Sequence, residues 1–161
     1  MKALIMSDSH GDRSGIRYLV EQARNRTGSL DAYIHLGDGA RDFESLENFF
    51  HGLDPKAHLW QVRGNCDTLS CDAPRFRVVT FGGTSMLLTH GHEQMVKTTL
   101  SYLDDLARGY ACTLALYGHT HQPAMDMGTV LMINPGSVQD GRIAFLEVDE
   151  GRPRVQLWHF S

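Results

Sequence analysis

Cysteine is scarce in this chain. The three that occur, Cys66, Cys71 and Cys112, are odd in number and lack C-x-x-C spacing. That pattern argues against a disulfide framework and a zinc ribbon, and a reducing cytoplasm is the expected setting. No apolar stretch reaches the roughly 20 residues that cross a bilayer, so no membrane partner is expected. The opening Met1-Lys2-Ala3-Leu4-Ile5-Met6 runs straight into Ser7-Asp8. Its apolar core is too short for a secretory signal and reads as a first strand. A surplus of positive charge is missing too, since 15 Lys+Arg against 19 Asp+Glu give a net charge of -4. That balance argues against an extended nucleic-acid partner and leaves small phosphorylated molecules open. No repeat, low-complexity segment or composition break divides the chain, so residues 1–161 are expected to form one domain with a usable core.

Histidine is what the chain has in abundance, 9 residues in 161. Their placement matters more than their number. Apolar runs of strand length and β-branched or aromatic content cover Ala3–Met6, Ala32–Leu36, Leu59–Val62, Met86–Leu88, Thr113–Tyr117 and Val130–Ile133. Most lack strict alternation, as strands covered on both faces do. Ile16, Leu19, Val20 and Ala23 recur at helical spacing, with Ser14 expected to cap the start and Thr27-Gly28 to end it. Phe43, Leu46 and Phe50 predict a shorter helix before Asp54-Pro55. Val96, Leu100, Leu103 and Ala107 predict a third, with Gly109 just after it. Hairpins are expected around Gly82-Gly83-Thr84 and around Asp149-Glu150-Gly151-Arg152. The fold class that follows is α/β, with two mixed β-sheets packed as a sandwich and flanked by helices.

Five polar clusters each sit just beyond an apolar run: Asp8-Ser9-His10, Gly37-Asp38, Gly64-Asn65-Cys66-Asp67, Thr89-His90-Gly91-His92 and Gly118-His119-Thr120-His121. In open α/β sheets ligands bind beyond the carboxyl ends of the strands. Five strands therefore deliver to one end seven candidate ligands: the carboxylates of Asp8 and Asp38, the amide oxygen of Asn65 and the imidazoles of His10, His90, His119 and His121. Carboxylates bridge and imidazoles cap, so this donor set suits a pair of first-row divalent cations. Taken singly the clusters say less: Gly37-Asp38 is a common turn signal, Gly64-Asn65 suits a left-handed turn, and Asp8-Ser9 suits a helix cap.

The series D-x-H, G-D, G-N, a lone His and G-H-x-H resembles the calcineurin-like metallophosphoesterase superfamily from Asp8 to His121. Gly64-Asn65-Cys66-Asp67, Thr89-His90-Gly91-His92 and Asn134-Pro135-Gly136-Ser137 are similar to its small bacterial and archaeal phosphodiesterase branch. The resemblance implies a β-sandwich with a dinuclear site. One ion would take Asp8, His10 and His121, the other Asn65, His90 and His119, with Asp38 bridging both. Ligand type admits manganese, iron, zinc, cobalt or nickel, and manganese is the expectation carried forward. The implied activity is hydrolysis of small phosphodiesters by a hydroxide held between the ions, attacking phosphorus in line. Asn65, Cys66, His90 and His92 are the expected catalytic residues.

Cys66 stands where many relatives carry a histidine that helps the leaving oxygen depart. A thiol of ordinary pKa ~8.5 donates a proton poorly to a phosphate ester at neutral pH. His92 is expected to orient a ligand or the phosphate. Arg13 and Arg41 follow two of the clusters and could touch a phosphate, although exposed arginines are more often just solvated. His35, His51, His58 and His159 read as structural or surface residues, and Asn134–Ser137 as a turn supporting the site wall. The rival readings are a monoesterase or nucleotidase, and a non-catalytic scaffold like the small retromer subunit of the same superfamily. Open strand edges on the terminal hairpins make a homo-oligomer an expectation.

Overall fold

The computed structural model describes residues 1–68 and 71–161. The chain runs β1 (Lys2–Met6), α1 (Arg13–Thr27), β2 (Ala32–His35), α2 (Ala40–Ser45), α3 (Glu47–Leu53), β3 (His58–Gln61), β4 (Phe76–Phe81) and β5 (Thr84–Thr89). Then follow α4 (Ser101–Gly109), β6 (Leu114–Leu116), β7 (Ala124–Met127), β8 (Leu131–Asn134), a short 3-10 turn (Val138–Asp140), β9 (Arg142–Asp149) and β10 (Arg152–His159).

Two five-stranded sheets result, in the orders β10-β9-β1-β2-β3 and β4-β5-β6-β8-β7. Both are mixed: β1, β2 and β3 run parallel, as do β5, β6 and β8, while β9, β10, β4 and β7 pair antiparallel. Alternation within each strand sorts its side chains into layers. Ala3 and Ile5 of β1 join Ile34, Met86, Leu88, Leu116 and Ile133 in the core between the sheets. Leu4 and Met6, one residue out of phase, pack on the other face with Ile16, Leu19 and Val20 of α1 and with Phe43 and Phe50. The second sheet repeats the arrangement, with Leu87, Ala115 and Met132 packing against Leu103 and Ala107 of α4. The expected sandwich flanked by helices is the fold that forms. Burial on both faces explains why the central strands read as continuous apolar runs.

Several local expectations are corrected. Asp12, not Ser14, caps α1: its Oδ1 accepts from Gly15 N at 2.8 Å, and the Ser14 hydroxyl donates to the same oxygen. The helix predicted from Phe43, Leu46 and Phe50 is two short helices meeting at Leu46, whose ψ of 10° leaves the helical range. Val96 and Leu100 precede α4 rather than belong to it. Met95 at φ 54° breaks the path, and both side chains still reach the α4 cluster. β7 went unforeseen because Ala124-Met125-Asp126-Met127 is a short, exposed edge without a buried face. Away from the sheet end, Tyr33 donates to Asp54 at 2.5 Å and Arg24 grips the same carboxylate at 3.0 Å, which pins α3 against α1.

Candidate metal centre

All five polar clusters emerge at one end of the sandwich, on the loops after β1, β2, β3, β5 and β6. Backbone bonds lace these loops together before any side chain acts. Asp8 N donates to Gly37 O at 3.0 Å, His10 N to Asp38 O at 3.0 Å, and Gly118 N to His90 O at 2.9 Å. The turns are tight enough that Asp8, His10, Asp38, His119 and His121 all have positive φ, between 44° and 68°. Left-handed backbone is costly for residues with a Cβ and persists where the surroundings over-determine it. Here it concentrates on the residues singled out as ligands.

Gly64 and Gly118 serve by being small rather than by conformation. Neither Gly64 nor Asn65 adopts positive φ, which corrects the expected left-handed turn. A Cβ on Gly64 would lie 2.2 Å from Asp38 Oδ1, and one on Gly118 would lie 2.0 Å from Ser7 Oγ and 2.8 Å from Asp8 Oδ2. Only hydrogen fits at those approaches.

The side chains converge on one another. Asp8 Oδ2 is satisfied by the Ser7 hydroxyl at 2.6 Å and by His119 N at 3.1 Å. Its other oxygen, Oδ1, is buried without a hydrogen-bond donor. His121 Nε2 lies 3.2 Å from that oxygen, His10 Nε2 3.7 Å and His90 Nε2 3.9 Å. Asp38 divides its duties in the same way. Oδ1 accepts from Cys66 N at 2.7 Å, and Oδ2 faces His90 Nε2 at 3.2 Å and His10 Nε2 at 3.9 Å. His90 is fully buried, and its Nδ1 contacts Leu36 O at 2.7 Å, so the ring donates there and turns Nε2 inward. That Nε2 also lacks hydrogen-bond geometry to any partner.

Donor atoms gathered around one cation at ~2.1 Å stand about 3.0 to 3.4 Å apart. Of the contacts above, two at 3.2 Å fall in that range and three at 3.7 to 3.9 Å lie just beyond it, and the buried atoms Asp8 Oδ1 and His90 Nε2 have no hydrogen-bond partner. The ligand-atom groups Asp8/His10/His121 and Asp38/His90/His119 are each mutually within 4.8 Å. A carboxylate and imidazole donor set of this kind fits divalent first-row ions. Asn65 lies in the turn beside them. Its Nδ2 faces Cys66 Sγ at 3.5 Å, and it lines a hollow of about 290 Å³ with Arg63, Arg75, His92 and Glu93.

Electrostatics follow the geometry. Burial alone would raise the Asp38 carboxyl, but the His90 ring and the Cys66 N–H outweigh it and hold the group well below the usual carboxylate range. The reciprocal effect acts on His90: burial would lower its ring, and the Asp38 and Asp8 carboxylates push it up instead. Burial, helped by His90 and Lys97, lowers His119 to about 4, so this ring is neutral with a free lone pair at pH 7. His92 is lowered by burial and by His90, and its ring stands 5.4 Å from that of His90 and 6.1 Å from that of His119. Burial and the Asp38 charge raise the Cys66 thiol.

A supporting layer had not been read from the sequence. Asp67 accepts from four backbone amides: Asp38 N and Gly64 N at 2.8 Å on Oδ2, Gly39 N at 2.9 Å and Ala40 N at 3.0 Å on Oδ1. Behind the Asp8–His10 loop, fully buried His35 contacts Ser9 Oγ at 3.0 Å. Ser9 in turn donates to Asp42 Oδ2 at 2.7 Å, and Gly11 N reaches the same oxygen. Asn134 bonds Gly118 O and Thr120 Oγ1, while Ser137 Oγ donates to Asp8 O, so that turn does brace the wall. The available signal for Asp67 was a carboxylate three residues after a tight glycine. Arg13 is engaged with Asp42 at 3.6 Å, and Arg41 lines a second hollow with His10, Asp38 and Cys66.

Residues 1–150 match the family model of the calcineurin-like phosphoesterase superfamily domain. The chain therefore belongs to that superfamily, a family of metal-dependent phosphoesterases. It is 33% identical over 144 residues to a probable metallophosphoesterase, YsnB, of Bacillus subtilis, covering 89% of this chain and 78% of that one. Its fold is similar to that of an archaeal phosphodiesterase (24% identity, TM-score 0.74, 98% of this chain and 100% of the other). Vps29 of Entamoeba histolytica in complex with zinc has the fold as well (18% identity, TM-score 0.70, 98% of each chain). Among the described residues, no helix is long and apolar enough to cross a membrane.

Proposed function

We propose that this protein hydrolyses phosphodiester bonds in small substrates with two divalent cations, manganese foremost. One ion is held by Asp8, His10 and His121 and the other by Asn65, His90 and His119, with Asp38 serving both. The observation that carries the reading is the pair of buried, unpartnered atoms Asp8 Oδ1 and His90 Nε2, which stand 3.9 Å apart. Divalent cations supply there what side chains do not: charge on the phosphate oxygens and a water acidified from 15.7 toward about 7.

The chain's own residues do the rest. Asp8 and Asp38 keep one oxygen each on backbone or hydroxyl donors, which fixes the orientation of the other. Leu36 O holds the His90 ring in one tautomer, and neutral His119 offers a lone pair at physiological pH. His92, partly exposed between His90 and the hollow beside Asn65, is placed to hydrogen-bond the phosphate or its leaving oxygen. Cys66, its thiol raised, is a weaker general acid than an imidazolium and gives a departing ester oxygen less help. Esters with a good leaving group are therefore favoured. The 290 Å³ hollow admits a small leaving group, and a net charge of -4 does not favour an extended polyanion. The same reading sets the protein in the cytoplasm, where three unpaired thiols stay reduced.

The test is metal analysis of purified protein followed by turnover of bis- and mono-p-nitrophenyl phosphate after reconstitution with each candidate metal. Diester turnover that Asp38→Ala abolishes is the expected result. A clear monoester preference would reassign the activity to a monoesterase. Two tightly held ions with no hydrolysis across a phosphoester panel would overturn catalysis altogether and favour a binding role.

A further inference from the structure

Two residues of the hollow, His10 and Asp38, belong to more than one ligand group. Besides the two sets already described, His10, Asp38 and Cys66 also bring a ring nitrogen, a carboxylate oxygen and Sγ within 4.8 Å of one another. Cys66 N is tied to Asp38 Oδ1 at 2.7 Å, so the short side chain is anchored beside the carboxylate. The residue is exposed and opens with His10 and Asp38 onto a second hollow, about 210 Å³, also lined by Arg41 and Thr68. The other two cysteines are buried, and neither belongs to a ligand group among the described residues.

We infer that Cys66, His10 and Asp38 form a capture site for thiophilic divalent cations such as Cd²⁺ and Zn²⁺, overlapping the site for the working ions. This rests on the reading that the hollow takes divalent cations at all. Nitrogen at ~2.1 Å and sulfur at ~2.3 Å from one tetrahedral ion stand about 3.6 Å apart. A group already within 4.8 Å reaches that spacing by rotation of one exposed side chain. Thiolate favours soft cations, whereas carboxylates and imidazoles alone favour manganese-like ions. His10 and Asp38 cannot complete both arrangements at full occupancy, so a soft ion held by Cys66 competes with the pair. The residue that weakens leaving-group protonation thereby sets which metals the centre retains.

The experiment uses apoprotein kept under reductant and titrated with Co²⁺, Cd²⁺ and Mn²⁺, in the wild type, Cys66→Ser and His121→Ala. Expected are a thiolate-to-cobalt charge-transfer band in the near ultraviolet, its loss in Cys66→Ser, and its survival in His121→Ala. Cd²⁺ affinity should fall at least tenfold in Cys66→Ser, while Mn²⁺ affinity changes less than twofold. Co²⁺ bound without the band, or unchanged Cd²⁺ affinity in Cys66→Ser, overturns the capture site and leaves the metal centre standing. Failure of the wild type to bind any of the three ions overturns both. These readouts are absorption and binding, so they stand apart from any measurement of turnover.

Discussion

Replacing Asp67 by Asn changes one oxygen to an amide nitrogen at the point where two loops are fastened together. The carboxylate accepts four amides at 2.8 to 3.0 Å, two on each oxygen. Asn keeps one oxygen and turns an NH₂ toward the other two donors, and no flip satisfies both pairs. Hydrogen bonds to a charged group contribute about 1.5 to 3 kcal/mol each, and a buried donor left unpaired costs a comparable amount. With the lost pair partly compensated by water, the expected destabilisation is about 3 to 5 kcal/mol, a large share of the ~5 to 15 kcal/mol that holds a typical domain together. The assay is urea unfolding of chelator-treated protein, followed by tryptophan fluorescence and circular dichroism, where the midpoint should fall by about 1.5 M or more. Either pair that is released, Asp38 N with Gly64 N or Gly39 N with Ala40 N, includes an amide of the Asp38 loop, so Mn²⁺ affinity should drop as well. Asp67→Glu, which restores the charge at a longer reach, should recover part of both. A loss below about 1 kcal/mol in Asp67→Asn would refute the claim that this carboxylate fastens the Asp38 loop.

Two further predictions test the layers behind the site. Burial, only partly offset by Asp67 and Asp42, lowers the His35 ring to about 4. The unfolded chain, with an ordinary value near 6.5, therefore takes up its proton first as pH falls. The stability held by the neutral ring is whole above pH 6.5 and is lost progressively down to about pH 4, for a total near 3 kcal/mol at about 1.36 kcal/mol per pH unit. Urea melts of apoprotein at pH 7.5 and 4.5 should show a steeper pH dependence in the wild type than in His35→Gln, and parallel slopes would refute the assignment. Gly118→Ala puts a methyl 2.0 Å from Ser7 Oγ and 2.8 Å from Asp8 Oδ2. It should lower stability by about 2 kcal/mol or more and weaken Mn²⁺ binding at least tenfold, both readable by thermal melts and metal titration. Wild-type metal affinity in a folded Gly118→Ala protein would show that the close approach at Asp8 is not needed.

Much of the fold was legible because its information is local. Ala3–Met6 and Leu114–Leu116 are apolar at every position and Ala32–Leu36 at every position but His35, and a polar cluster follows each closely, so strand, strand end and candidate ligand could be read together. Helix ends were less legible. Asp12 and Ser14 are both competent caps, and which one faces Gly15 N depends on the path of a loop fixed by Asp42 and Asp38. β7 lay below the threshold of pattern reading because an edge strand with no buried face carries no periodicity.

The sequence by itself determined the candidate donors and the strand ends that carry them, because residue type and chain order are enough to state chemistry. Only the tertiary structure decided which oxygen of Asp8 and of Asp38 stays free, that His90 turns Nε2 inward, and that Asp67 holds four amides. It alone also brought Cys66 into reach of His10. Apart from Ser7 on Asp8 and Gly64 on Asp67, those are relations between atoms 27 to 111 residues apart in the chain, set by tertiary packing, and no local pattern encodes them.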